Sequence, residues 1–166
     1  MEFSRPVVAE RLPAGEAVYE IAASAPEREA LARRLDLVAL DRLEARICLN
    51  RLGGGLIGMA ATLSADVVQR CVVTLEPVAN RVDDAFTLLF GGDGDEVEGG
   101  EVVVDGAAEI REPLCNGAID LGEAVAQQLS LALDPFPRAA DAPVAATDEN
   151  RDVGPFAALV KWRKKR

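Results

Sequence analysis

The sequence predicts an α+β fold: an antiparallel sheet, built as a meander that is open or partly closed, covered by one or two helices. Three observations lead there. Residues 43–49 and 57–67 alternate apolar and polar side chains on either side of a glycine turn, a third alternating run ends at Phe90, and a capped amphipathic stretch over 121–133 carries one apolar stripe. Sheet and stripe each need the other's apolar surface.

Taken in order, residues 3–8 and 17–22 read as short strands around a Pro-Gly turn region at 12–15. Ser24-Ala25-Pro26-Glu27 has the spacing of a capping box, in which the serine oxygen and the Glu27 carboxylate each satisfy an orphan backbone NH, so a helix is expected over 26–35. The period then changes to two. Leu43, Ala45, Ile47 and Leu49 form one face, and after Gly53-Gly54-Gly55 so do Ile57, Met59, Ala61, Leu63, Ala65 and Val67, which together predict an antiparallel hairpin. Val82, Phe86, Leu88 and Phe90 add a third long strand beyond the turn at Glu76-Pro77.

No basic residue lies between Arg81 and Arg111, and residues 91–100 hold five glycines, so 91–107 reads as a flexible acidic loop. Its carboxylates do not follow the ligand spacing of a calcium loop. Order returns at Ile119: Asp120 caps a helix, Glu123 is placed to return the bond, and Leu121, Ala124, Val125, Gln128, Leu129, Ala132 and Leu133 share a face that ends before Pro135. Residues 1–136 are thus expected to form a single domain. Residues 137–166 read as a flexible linker, a short apolar docking segment at 154–160 and a basic tail.

Composition narrows the function classes. The 166 residues are 49% hydrophobic but 4% aromatic, so the core draws on Leu, Val, Ile and Ala, and base-stacking platforms are not expected. Eighteen basic residues face 28 acidic ones, for a formal charge of -10. Five of the basic residues, Lys161, Arg163, Lys164, Lys165 and Arg166, crowd the last six positions around Trp162. The body before them repels phosphate and suits a basic partner, or serves only solubility. No signal-like apolar region or membrane-length run appears, and the expected location is the cytoplasm.

Little in the chain calls for catalysis. The absence of histidine removes the commonest general base and any Ser-His or Cys-His nucleophile. Gly53, Gly55 and Gly58 spell the dinucleotide-binding fingerprint but stand between two strands, with no helix to receive a pyrophosphate. Cys48, Cys71 and Cys115 are single and widely spaced, which points to reduced, structural thiols and to neither zinc nor another cofactor.

Three stretches resemble the YceD family of large ribosomal RNA subunit accumulation proteins. The first is Val68-Gln69-Arg70-Cys71-Val72-Val73-Thr74-Leu75-Glu76-Pro77-Val78. The second runs from Glu112-Pro113-Leu114 through Ile119-Asp120-Leu121-Gly122-Glu123 to Asp134-Pro135-Phe136-Pro137, and the third is Pro155-Phe156-Ala157-Ala158-Leu159. The motif positions are Cys71, Leu75, Glu76, Pro77, Asp120, Leu121, Glu123, Pro135 and Pro137. Many relatives carry C-x-x-C at the first motif, whereas here Val68 stands at the first cysteine's place.

The resemblance implies a part in accumulation or processing of large-subunit (23S) ribosomal RNA and supplies no catalytic residues. Joined to the acidic composition, it leads to the expectation of a non-catalytic adaptor or chaperone. Its partners would be a large-subunit precursor, a basic ribosomal protein or an assembly factor, with residues 161–166 touching rRNA and no membrane involved. The alternatives are a direct rRNA-binding module, in which the sheet face contacts RNA, and a metal-dependent ribonuclease.

Overall fold

A computed structural model describes residues 2–91 and 111–143. The acidic loop at 92–110 and the segment 144–166, with the docking segment and basic tail expected there, lie outside the described residues.

The elements run β1 (Pro6–Val8), β2 (Ala17–Ala22), α1 (Ala25–Arg34), β3 (Ala39–Arg51), β4 (Ile57–Arg70), β5 (Pro77–Phe90), β6 (Arg111–Glu112), β7 (Ala118–Asp120) and α2 (Leu121–Ala132). Five strands form one open sheet in the order β2-β3-β4-β5-β6, antiparallel throughout except for the parallel β5–β6 pair. β1 does not join this sheet; it pairs with β7 in a separate two-stranded ribbon.

The long strands form as the alternation requires. Ala45 faces Leu63 across the β3–β4 ladder, Ile47 faces Ala61 and Leu49 faces Met59, and all six are buried. Across β4 and β5, Ile57 pairs with Phe90, Met59 with Leu88 and Ala65 with Val82. The glycines at 53–55 turn the β3–β4 hairpin, with Gly54 and Gly55 at φ of 74° and 77°, where a Cβ would be strained. No helix follows them, so the fingerprint spacing carries no nucleotide site.

Both helices cover the same sheet face. α1 packs on β3 and buries Leu31 and Ala32; α2 packs on β4, β5 and β1 and buries Leu121, Ala124, Val125, Ala126 and Leu129. Gln128, expected within the apolar stripe, is half-buried, and its Nε2 donates to Asp84 at 2.7 Å. α1 begins in the capping box, with the Glu27 carboxylate accepting from Ser24 N at 2.8 Å. It closes through Asp36 in the left-handed region, φ 53°, with Leu37 N bonded to Ala32 O. At the other helix, the expectation for Glu123 fails. Asp120 caps α2 by accepting from Gly122 N and Glu123 N, but Glu123 itself turns to α1 and binds Arg34 at 2.6 Å. A guanidinium fork within reach outcompetes one backbone NH for the carboxylate.

A motif-built turn and a charge-neutralised sheet face

The β4–β5 turn is a loop built around a sulfur atom. Cys71 N donates to Glu76 O at 2.8 Å, and Leu75 N donates back to Cys71 O at 3.0 Å, with Leu75 in the left-handed region at φ 64°. The Cys71 side chain is fully buried, and its Sγ accepts from Val73 N, Thr74 N and Ala139 N at 3.3–3.4 Å. The Thr74 side chain first, then the backbone NH groups of Thr74 and Ala139, hold this thiol well below its ordinary range, at about 6. Donors stabilise the thiolate more than the thiol, which is the physical cause of the shift.

Two further bonds fasten the segment after α2 to this turn. Val72 N donates to Pro137 O at 2.9 Å and Gln69 Nε2 to Asp134 O at 2.9 Å. Pro137 is buried, whereas Phe136 is 70% exposed beside a turn that also shows Val72, Val73 and Leu75 to solvent. The motif positions Cys71, Leu75, Glu76, Pro77, Pro135 and Pro137 thus meet at one end of the sheet. Asp120, Leu121 and Glu123 sit at the far end of α2, whose twelve residues span about 18 Å. There Asp120 also accepts from Arg5 N at 2.8 Å and from the Ser4 hydroxyl, tying the N-terminal segment to the helix start.

This sulfur is a structural acceptor. Being buried, it offers no approach to a substrate, and Val68, at the place of the family's first cysteine, is half-buried on the strand's other face. All three cysteines are free thiols, Cys115 exposed and Cys48 half-buried. Among the described residues no three His, Cys, Asp or Glu side chains gather as a metal site would require.

The sheet's other face has no helix over it among the described residues. Its centre is small, with Ala60, Thr62, Ala85 and Thr87 exposed, and its charges are tied together across three strands. Arg42 Nε binds Asp66 at 2.8 Å and its Nη1 reaches Glu44 at 3.2 Å. Ser64 Oγ donates to Asp83 at 2.7 Å, and Arg81 Nε binds the same carboxylate at 2.7 Å. Arg42 lowers the titration of Asp66, and Arg81 followed by Ser64 lowers that of Asp83. Elsewhere Arg5 pairs with Glu27, Arg34 with Glu123 and Glu2, and Arg46 loosely with Glu20. Arg51 instead spends its guanidinium on the carbonyls of Leu12, Ala9 and Glu10.

Every basic residue before Lys161 is an arginine, the side chain suited to forked, fixed pairs. The pairs themselves leave no trace in the sequence, nor does the role of Ala139 at the sulfur. Asn116-Gly117, by contrast, was a readable signal for the tight turn between β6 and β7, with both residues at positive φ. The tail residues Lys161, Trp162, Arg163, Lys164, Lys165 and Arg166 lie outside the described residues.

A family model described as "Large ribosomal RNA subunit accumulation protein YceD" matches residues 59–159. The match begins in β4 and takes in the Cys71 turn, α2 and the segment fastened to that turn. No curated protein and no solved structure matches the chain. No helix among the described residues is long and apolar enough to cross a membrane.

Proposed function

From the premise that the chain belongs to the YceD family, we propose that it is a cytoplasmic, non-catalytic factor supporting accumulation and processing of 23S ribosomal RNA, and that its acidic body binds a basic ribosomal protein or assembly factor. The observation that carries this reading is the arginine inventory. Among the described residues Arg42, Arg46 and Arg81 on the exposed sheet face are held by carboxylates, as Arg5 and Arg34 are elsewhere, and Arg70 and Arg111 stand apart at the ends of β4 and β6, so that face offers phosphate no cluster of uncommitted cations. Nor does any aromatic side chain stand outward on that face among the described residues: Phe86 and Phe90 turn to the core side, as does Tyr19. A surface of this kind gains little from RNA and much from a cationic protein.

The division into a domain, expected over 1–136, and a linker with a basic tail over 137–166 belongs to the same proposal, with Pro137 and Ala139 counted to the domain because they are bonded to the Cys71 turn. In it the body selects the protein partner, and Lys161, Arg163, Lys164, Lys165 and Arg166 lend a weak, salt-sensitive contact to rRNA. Depleting the protein in growing cells tests the reading. The ratio of 23S to 16S rRNA should fall and recover on re-expression; an unchanged ratio would remove the function.

A further inference from the structure

β2 is the outer strand of the five-stranded sheet, and among the described residues no strand pairs with its free edge. In an antiparallel ladder every second residue of an edge strand turns its NH and C=O away from the sheet. Edge strands are ordinarily blunted by proline, lysine, a bulge or a very short length. β2 has none of these: it reads Ala-Val-Tyr-Glu-Ile-Ala over six residues and keeps an unbroken register against β3 from Ala17 to Ala22. The single charge within it is Glu20.

Its side chains are equally incomplete. On the core side, Ala17, Tyr19 and Ile21 are partly buried at the rim of the core. On the outward side, Val18 is 47% exposed. The charges beside that edge are acidic. Glu16 precedes the strand and lies against Cys48, raising that thiol's titration. The Glu20 and Glu44 side chains are 75% and 55% exposed. Two cations of β3 stand among them: Arg46, itself 67% exposed, reaches Glu20 at 3.5 Å, and Arg42, shared with Asp66, reaches Glu44 at 3.2 Å. Between Glu20, Glu44, Arg46, Thr62 and Ser64 the outward face dips into an open depression of about 390 Å³, large enough for a side chain from a neighbouring strand.

We infer that β2 is a docking edge for an extended, basic protein segment, which adds a sixth strand to the sheet. The segment's backbone pairs with the outward NH and C=O groups of Val18 and Glu20, the Ala22 carbonyl being already held by Arg5 Nη2 at 3.4 Å; its apolar side chains cover Tyr19 and Ile21, and its Lys or Arg side chains face Glu16, Glu20 and Glu44. Main-chain pairing gives affinity with little demand on sequence, and charge sets the sign of the partner. RNA is disfavoured here because it meets three carboxylates whose neighbouring cations, Arg46 and Arg42, are already paired to Glu20 and Glu44, and a second copy of the chain because antiparallel self-pairing centred on Glu20 sets that carboxylate against itself. The inference rests on the reading of the chain as an adaptor for a basic protein and names where that partner sits.

Hydrogen exchange of the full chain, with and without a short synthetic peptide alternating Lys and Val, tests it. The peptide should slow exchange at residues 17–22, and Glu20→Lys with Glu44→Lys should weaken binding about tenfold. A peptide N-methylated at alternate residues, tested on the unaltered protein, should not bind, which keeps the test independent of how the variants fold. Equal binding by the N-methylated peptide, protection confined to other elements, protection of 17–22 by single-stranded RNA, or a β2-mediated dimer by sedimentation would each overturn the inference. Recovery of a basic partner from cells with β2 unprotected would overturn the edge alone and leave the adaptor reading standing.

Discussion

Gly122→Ala sets two effects against each other. Gly122 lies in the first turn of α2, where alanine favours a helix by up to about 1 kcal/mol. Yet a Cβ on Gly122 would press on the Phe3 carbonyl oxygen and come within 2.9 Å of its carbon and 3.2 Å of Ser4 N. These are backbone atoms, so no rotamer can move aside. Residues 3–5 would have to lift, unseating the Phe3 ring, which is 1% exposed, and loosening the bonds from Ser4 and Arg5 to Asp120. Re-exposing a phenylalanine costs about 1.5–3 kcal/mol, and the hydrogen bonds to a carboxylate add about 1.5–3 kcal/mol if they are lost. Against the helix gain, a net loss of about 2–5 kcal/mol follows, or about 4–20 °C in Tm for a chain of this size. Urea unfolding followed by circular dichroism measures it, with Gly15→Ala, where nothing lies within 4 Å, as the neutral control. A Gly122→Ala protein as stable as the parent would refute the close packing of the N-terminal segment on α2.

Leu129→Ala, at a side chain with no exposed surface under the sheet, should cost about 2–5 kcal/mol by the same unfolding assay. Glu27 titrates at about 2, chiefly because Arg5 holds it and then because Ser24 N does, against an ordinary value of 4.5. Its stabilising effect is therefore complete above about pH 4.5 and is lost as pH falls toward 2. With Arg5 36% exposed, Glu27→Gln should cost about 1–2 kcal/mol at neutral pH and close to nothing in acid, as urea midpoints across that range would show. Thiol labelling should modify exposed Cys115 in the native protein and reach Cys71 only on unfolding, despite its lowered titration; rapid native labelling of Cys71 would mean the turn is open. Deleting residues 161–166 should leave Tm nearly unchanged yet lower co-sedimentation with large-subunit precursors at low salt.

The scaffold was legible because period-two alternation is a local signal: Leu43 to Leu49 and Ile57 to Val67 need only a buried face to become strands, and the order of the hairpin follows from its glycines. Helix starts were legible for the same reason at Ser24 and Asp120. What escaped depends on contacts distant in the chain. That β1 pairs with β7 and not with the main sheet is fixed by Asp120 drawing in Ser4 and Arg5, 115 and more residues away. Glu123 reads as a cap until Arg34 is seen beside it, 89 residues back. At the candidate site, Cys71 was singled out through a family motif, but the donors that make its sulfur a hub include Ala139, a residue with no chemistry to mark it. The free edge of β2 is a property of strand order, which alternation does not encode.

The most direct test of a protein-binding adaptor is capture of the tagged full chain from growing cells, with half of each sample digested by ribonuclease before washing. An adaptor keeps a basic ribosomal protein or assembly factor bound after digestion, identified by mass spectrometry at undiminished yield. Loss of every ribosomal component on digestion, with RNA alone recovered from the undigested half, would contradict it and give the binding to RNA.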